Sequence, residues 1–237
     1  MTIVISHPKT RFGSNSTIFK RYLRMGITHK MKSSDLVVQE PTPQWKTGIR
    51  VLGISESFTK DVTRSIVAGV VMRGDYRVDG FGFCRPSIGG TDATKSLLDL
   101  YQRLERQDIR AWMLGGNIIS WFNIVDINEL YQVTEIPVVC VTYNPSEGIE
   151  KYLVEYFPDT WQERLQKIQQ MGVRDQITLS TGHIVYLTTA GVSLLRAKQL
   201  VDLFTIDGRV PEPVRVARII AAGLFRDSLQ DDGLDLL

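Results

Sequence analysis

Apolar order is weak through residues 1–47, where Ser, Thr, Lys and Arg dominate, a faint periodicity runs over 18–27, and Pro41-Thr42-Pro43 interrupts the chain before Trp45. From Ile49 the pattern changes to apolar runs of strand composition at 49–55, 65–73 and 76–84, and Gly74-Asp75 predicts a hairpin between the last two. Ala93, Leu97, Leu98, Leu100, Tyr101 and Leu104 then recur at helical spacing behind Thr91-Asp92, either of which can cap a helix ending near Gln107. Residues 109–114 and 137–143 read as buried strands, separated by a Gly115-Gly116 turn and a helix over 123–133.

Three strands followed by helix, strand, helix, strand predict an α/β protein. Each later strand needs a helical crossover to lie parallel to its neighbour, so the expected core over 48–143 is one mixed five-stranded sheet with helices on both faces. Further helical patterns occupy 146–156 and 158–171, strand-like pieces 176–179 and 183–188, and two extra helices 191–204 and 211–226. The last opens with Pro211-Glu212-Pro213, which suits a first helical turn because proline has no amide hydrogen to lose there and glutamate favours the positive end. The expected division is a basic extension over 1–47, one domain over 48–230 and an acidic tail over 231–237.

Composition fits a globular chain: 237 residues, 43% hydrophobic and 23% charged. The net charge of +2 conceals an asymmetry, since residues 1–50 hold nine Lys/Arg against two Asp/Glu while the rest hold 19 against 24. A basic arm on a mildly acidic body suits nucleic acid, or a protein partner that docks on the arm. No run reaches the ~18 apolar residues of a membrane span, and no secretory signal opens the chain, so no membrane partner and a cytoplasmic location are expected. Cys84 and Cys140 sit in apolar runs and read as small buried hydrophobes. His7, His29 and His183 show no metal-ligand spacing, and neither a phosphate-binding loop nor a dinucleotide fingerprint is present.

Four segments in order carry a resemblance: Val51-Leu52-Gly53-Ile54-Ser55-Glu56-Ser57, Gly90-Thr91-Asp92-Ala93-Thr94, Leu114-Gly115-Gly116 with Phe122-Asn123-Ile124-Val125-Asp126, and Pro211-Glu212-Pro213-Val214-Arg215-Val216-Ala217. Over residues 48–225 the chain resembles the archaeal family known as domain of unknown function 99. That family is similar in turn to endonuclease V, which implies a ribonuclease H-like fold. The resemblance implies a nuclease site in which two divalent cations, Mg2+ or Mn2+, about 4 Å apart are held by converging carboxylates. It places one aspartate on the first strand, a glutamate near the first core helix and another aspartate after the fourth strand.

This sequence departs from that pattern. Ser55 stands at the first-strand position, and Gly115-Gly116 follow the fourth strand where an aspartate is expected. Glu56 is adjacent to Ser55 but points to the opposite face unless the strand ends or bulges there. Asp92 matches the second acidic position and is equally a helix cap; Asp126 is a further carboxylate and equally a favourable charge in a helix's first turn, with Asn123 as that helix's cap. The candidate catalytic residues are therefore Asp92, Glu56 and Asp126, with Glu56 and Asp92 as metal ligands. Candidate nucleic-acid contacts are Arg85, Asn117, Trp121 and Asn123, the first for phosphate and Trp121 with Phe122 for base stacking, whereas Trp112 and Trp161 read as core. The glycine turns at 89–90 and 115–116 can present amides to phosphate or serve only as tight turns. Three functions stay open: a nucleic-acid-binding protein with a degenerate metal site, an active divalent-metal nuclease with a rearranged site, and a non-enzymatic scaffold.

Overall fold

The computed structural model describes residues 45–145 and 148–230. The basic arm, the periodicity at 18–27, His7, His29, the start of the helix expected from 146, and the acidic tail lie outside the described residues.

Continuous burial marks the first two strands, which are covered on both faces. β1 (Arg50–Ser57), β2 (Ile66–Arg73) and β3 (Val78–Cys84) form an antiparallel meander. β4 (Ile109–Leu114) and β7 (Val138–Thr142) add in parallel to β1, each after a helical crossover: α1 (Ala93–Arg103) and α2 (Ile127–Thr134). Between β4 and α2 lies a two-residue ribbon, β5 (Ile118–Ile119) with β6 (Asn123–Ile124). After α3 (Glu150–Tyr156) and α4 (Trp161–Gln170), the hairpin of β8 (Asp175–Thr178) and β9 (Ile184–Ala190) returns to the sheet, followed by α5 (Leu194–Phe204) and α6 (Glu212–Gln230).

The sheet has seven strands in the order β3-β2-β1-β4-β7-β9-β8, two more than the sequence pattern assigned. The physical reason is the open edge of β7. Its unpaired backbone needs a partner, and β9 supplies one antiparallel, from Val138↔Ala190 to Thr142↔Tyr186. At the opposite edge Arg103 donates to the carbonyl of Phe83 at 2.8 Å and Arg106 to that of Asp79 at 2.7 Å, so side chains satisfy carbonyls of β3.

Period-two alternation divides the core. Leu52, Ile54, Val67, Trp112 and Leu114 face α1 and α2, where Leu97, Leu100, Ile127 and Leu130 meet them. Val51, Ala111, Met113 and Val139 face α5, which contributes Ala197, Leu200, Val201 and Phe204. On the same side as α5, Ile66, Ala68 and Val70 pack against Ala217, Ala221 and Phe225 of α6. Trp112 is wholly buried, as its apolar context predicts. Both cysteines are buried and unpaired, and burial pushes each thiol up to about 12.

Candidate nucleic-acid interface

The carboxyl ends of β1 and β4 bring the sequence-nominated residues to the same edge of the sheet, on two different faces. β1 pairs with β2 without a shift at its end, Ser55 opposite Ala68 and Glu56 opposite Val67. With no bulge, the two side chains point apart. Ser55 shares the face of α6, and Glu56 the face of α1.

On the α6 face the helix sits directly on the strands. A Cβ added to Gly53 would lie 2.4 Å from Pro213 Cβ and 2.5 Å from its carbonyl carbon, and one added to Gly115 would lie 2.7 Å from Val214 Cγ1. The same added atom would be 3.8 Å from Ser55 Oγ, so positions 55 and 115 do converge. Val214 fills the space beside them. The nearby acid on α6, Glu212, is 8% exposed and is engaged by Arg215, which donates to both its oxygens at 2.8 and 2.5 Å.

On the α1 face Glu56 holds a turn. Its Oε2 accepts from the Ser120 amide at 2.7 Å and from the Ser120 hydroxyl at 3.0 Å, leaving the Ser65 hydroxyl, 2.5 Å from Ser120 Oγ, to donate to it. Burial pushes the Glu56 carboxyl up to about 7, against the opposing pull of the two Ser120 hydrogen bonds. Ser120, Trp121 and Phe122 have φ of 46°, 54° and 65°, three successive non-glycine residues in the left-handed region. Each costs roughly 1–2 kcal/mol relative to the right-handed form. Besides Glu56, the Ser120 carbonyl accepts from the Gly89 amide at 2.7 Å, and the Phe122 carbonyl accepts from Arg164 at 2.7 Å.

Asp92 and Asn123 are brought into direct contact. Asn123 Nδ2 donates to Asp92 Oδ1 at 2.6 Å and to the Ser87 carbonyl at 2.9 Å, while the Ser87 hydroxyl donates to Asp92 Oδ2 at 3.0 Å. Burial works against the Asp92 charge, but hydrogen bonds from Asn123 and Ser87 outweigh it and hold the carboxyl below its usual range. Asp92 stands at the N-cap position of α1 without capping it; Asn123 Oδ1 accepts from the Ala93 amide at 3.0 Å instead. The expectation that Asn123 caps the following helix is therefore corrected. That helix, α2, begins at Ile127 rather than at 123, and its cap is Asp126, which accepts from the amides of Asn128 and Glu129. Asp126 spends its carboxylate on those amides rather than joining Asp92.

Asn117 lines a cavity of about 410 Å³ past the ends of β4 and β7, with Gly115, Gly116, Asn144 and Arg174, and donates to Met171 Sδ at 3.3 Å. Arg85 lines a different hollow, between β3 and the end of α6, on the far side from Asn117. Arg164 escaped the sequence reading. It is 6% exposed, stacks 4.1 Å from the centre of the Phe157 ring, and donates to the carbonyls of Gly89, Gly90 and Phe122. One side chain on α4 thus ties the β3–α1 loop to the left-handed turn. The only sequence signal was an arginine in a helix otherwise short of apolar residues.

A sequence profile of the family described as endonuclease dU matches residues 47–225. The chain belongs to the endonuclease dU family. A UPF0215 protein of Thermococcus gammatolerans is 36% identical over 187 residues, 76% of this chain and 94% of the relative. The crystal structure of a protein of unknown function from Archaeoglobus fulgidus superposes at TM-score 0.66 with 32% identity, covering 75% of this chain and 98% of that one. Human ENDOV superposes at TM-score 0.55 with 20% identity over 79% of this chain and 89% of its own. Endonuclease V of Ciona intestinalis, solved with a 24mer DNA containing an inosine followed by a ribo-adenosine, gives TM-score 0.50 and 15% identity over 78% and 87% of the two chains. This endonuclease dU family member accordingly has the ribonuclease H-like fold of endonuclease V.

Two of the three carboxylate positions that the resemblance implies for paired divalent cations carry no carboxylate in this sequence. A serine hydroxyl and a glycine stand at the converging positions 55 and 115, and Val214 occupies the space between strand end and helix. Among the described residues no group of three or more His, Cys, Asp and Glu side chains is placed to hold a metal ion. Glu56 and Asp92 share a face, yet each is engaged by its own donors.

Proposed function

We propose that this protein binds nucleic acid at the carboxyl edge of β1 and β4 and has given up the two-metal hydrolysis implied by its fold. The observation that carries the second half is Val214: its methyl covers the ground beside Ser55 and Gly115 on which a ligating carboxylate would stand. Support for the first half comes from the family's name and from the DNA complex of the Ciona endonuclease V. Ser87, Asp92, Asn123, Glu56, Ser120 and Arg164 hold the loops at this edge rigid, and Asn117, on the wall of the cavity past β4 and β7, is a polar group offered to a polynucleotide. Two buried, unpaired cysteines suit the reducing cytoplasm that completes this reading.

A second reading has one observation in its favour. Glu56 and Asp92 lie on the same face, so an active nuclease would use them with Mg2+ or Mn2+ in place of the lost pair.

The test is a fluorescence-anisotropy titration of the full chain with labelled DNA and RNA across a salt series, beside a cleavage assay on deoxyuridine- and inosine-containing strands with magnesium or manganese. Binding should weaken with salt, by a slope of about −0.9 in log K per duplex phosphate neutralised, without multiple-turnover cleavage. Cleavage that disappears in Asp92→Ala and persists in Arg77→Ala, a turn residue at the opposite end of the sheet, would establish the second reading. Absence of salt-dependent binding would leave the scaffold.

A further inference from the structure

We infer that the left-handed turn at Ser120–Phe122 is a stacking platform for unpaired bases, which makes a single-stranded segment the preferred ligand; this rests on the nucleic-acid reading above and narrows it. Trp121 lies 5.4 Å from the Tyr156 ring, 5.3 Å from that of Phe157 and 6.2 Å from that of Phe122. Phe122 in turn lies 6.5 Å from Tyr152. None of these five rings belongs to the three buried cores, Trp121 and Phe122 are half-buried, and Tyr152 and Tyr156 are 38% and 39% exposed.

Cations stand among the rings. Lys60 Nζ is 5.3 Å from the centre of Trp121 and 5.5 Å from that of Tyr156, and Lys151 Nζ is 4.7 Å from that of Tyr152. Aromatic faces alternating with ammonium groups are complementary to bases alternating with phosphates. Glu155 lies beside Tyr156, and Lys60 opposes its charge over the same ring. A cluster serving only to glue α3 to the sheet would need neither lysines at its ring faces nor a backbone of three left-handed residues. Those residues are instead fixed from below by Glu56, Gly89 and Arg164, so the rings are presented on a rigid mount. A duplex keeps its bases stacked inside and offers such rings nothing to stack on, so the occupant is a single strand.

The test compares the affinity of the full chain for a labelled single strand and for the blunt duplex of the same sequence. Trp121→Ala and Tyr156→Ala should each weaken single-strand binding roughly tenfold, with duplex binding changed by less than about twofold, and Trp121→Phe should recover most of the loss. If Trp121→Ala fails to fold, Tyr156→Ala decides, because its ring is exposed. Equal losses on both ligands, or no loss on the single strand, would overturn the platform and leave nucleic-acid binding standing. A wild-type chain that binds neither ligand would overturn the binding reading itself, and the platform with it. A proline-rich peptide that competes for the rings while single strands do not would likewise overturn it.

Discussion

Glu56 is an acid partly removed from water and given two donors from Ser120, and the removal outweighs the donors. Its carboxyl rises from 4.5 to about 7, so the native state holds a proton that the unfolded chain has lost. The stability this contributes is complete below the unfolded value and is lost as pH rises through the folded one, about 3 kcal/mol at most. Glu56→Gln keeps an acceptor for the Ser120 amide and carries no charge. Wild-type thermal stability should therefore fall between about pH 5 and about pH 8, while the variant's curve stays flatter and lies above it at the alkaline end. Parallel curves from calorimetry at the two pH values would remove Glu56 as the origin of the slope. Nothing in the sequence announced this role, because Glu56 acts through Ser120, and a tight turn is not foretold by Trp and Phe, residues rarely found at positive φ.

At the scale of elements, the seat of α6 depends on two glycines with different neighbours. Gly53 faces the backbone of Pro213, which cannot move without the helix, whereas Gly115 faces the Val214 methyl, which can turn aside. Gly115→Ala should cost about 1–3 kcal/mol, and Gly53→Ala clearly more. Urea denaturation midpoints check this, and equal midpoints would mean that α6 floats on the sheet rather than sitting on it. The helices were legible because their period repeats over several turns, and the long strands because they are apolar runs of strand length. The β5–β6 ribbon was not, since two-residue strands carry no period, and its Asn123 was absorbed into the helix that begins at Ile127.

For the whole molecule, the mixed sheet with helical crossovers followed from connection rules, whereas the placing of β8 and β9 at the far edge did not. β8 is four residues long with only Ile177 buried, too short a pattern to say which edge it completes. Charge is likewise a property of the whole chain. Nine of the basic residues fall in residues 1–50, yet the packed structure is already engaged at Trp45, which donates to the Arg196 carbonyl at 2.9 Å and stacks against its guanidinium. Removal of residues 1–44 should leave the cooperative thermal transition in place and weaken binding to polyanions at low salt. Loss of the transition in the shortened chain would make those residues structural.

Arg164 has a consequence of its own. No carboxylate pairs with it among the described residues, and its guanidinium is ringed by carbonyls of two loops, much as a potassium ion is ringed by the oxygens of a crown ether. Unlike a mobile ion it cannot be exchanged for sodium, and unlike Lys60 it is not bathed in electrolyte. Ionic strength quenches surface charges within about 8 Å at physiological salt but reaches a sheltered one much less. The carbonyl-wrapped guanidinium is thus a fixed positive pole behind the turn, and its hold on the two loops should outlast concentrated salt that loosens the lysines outside.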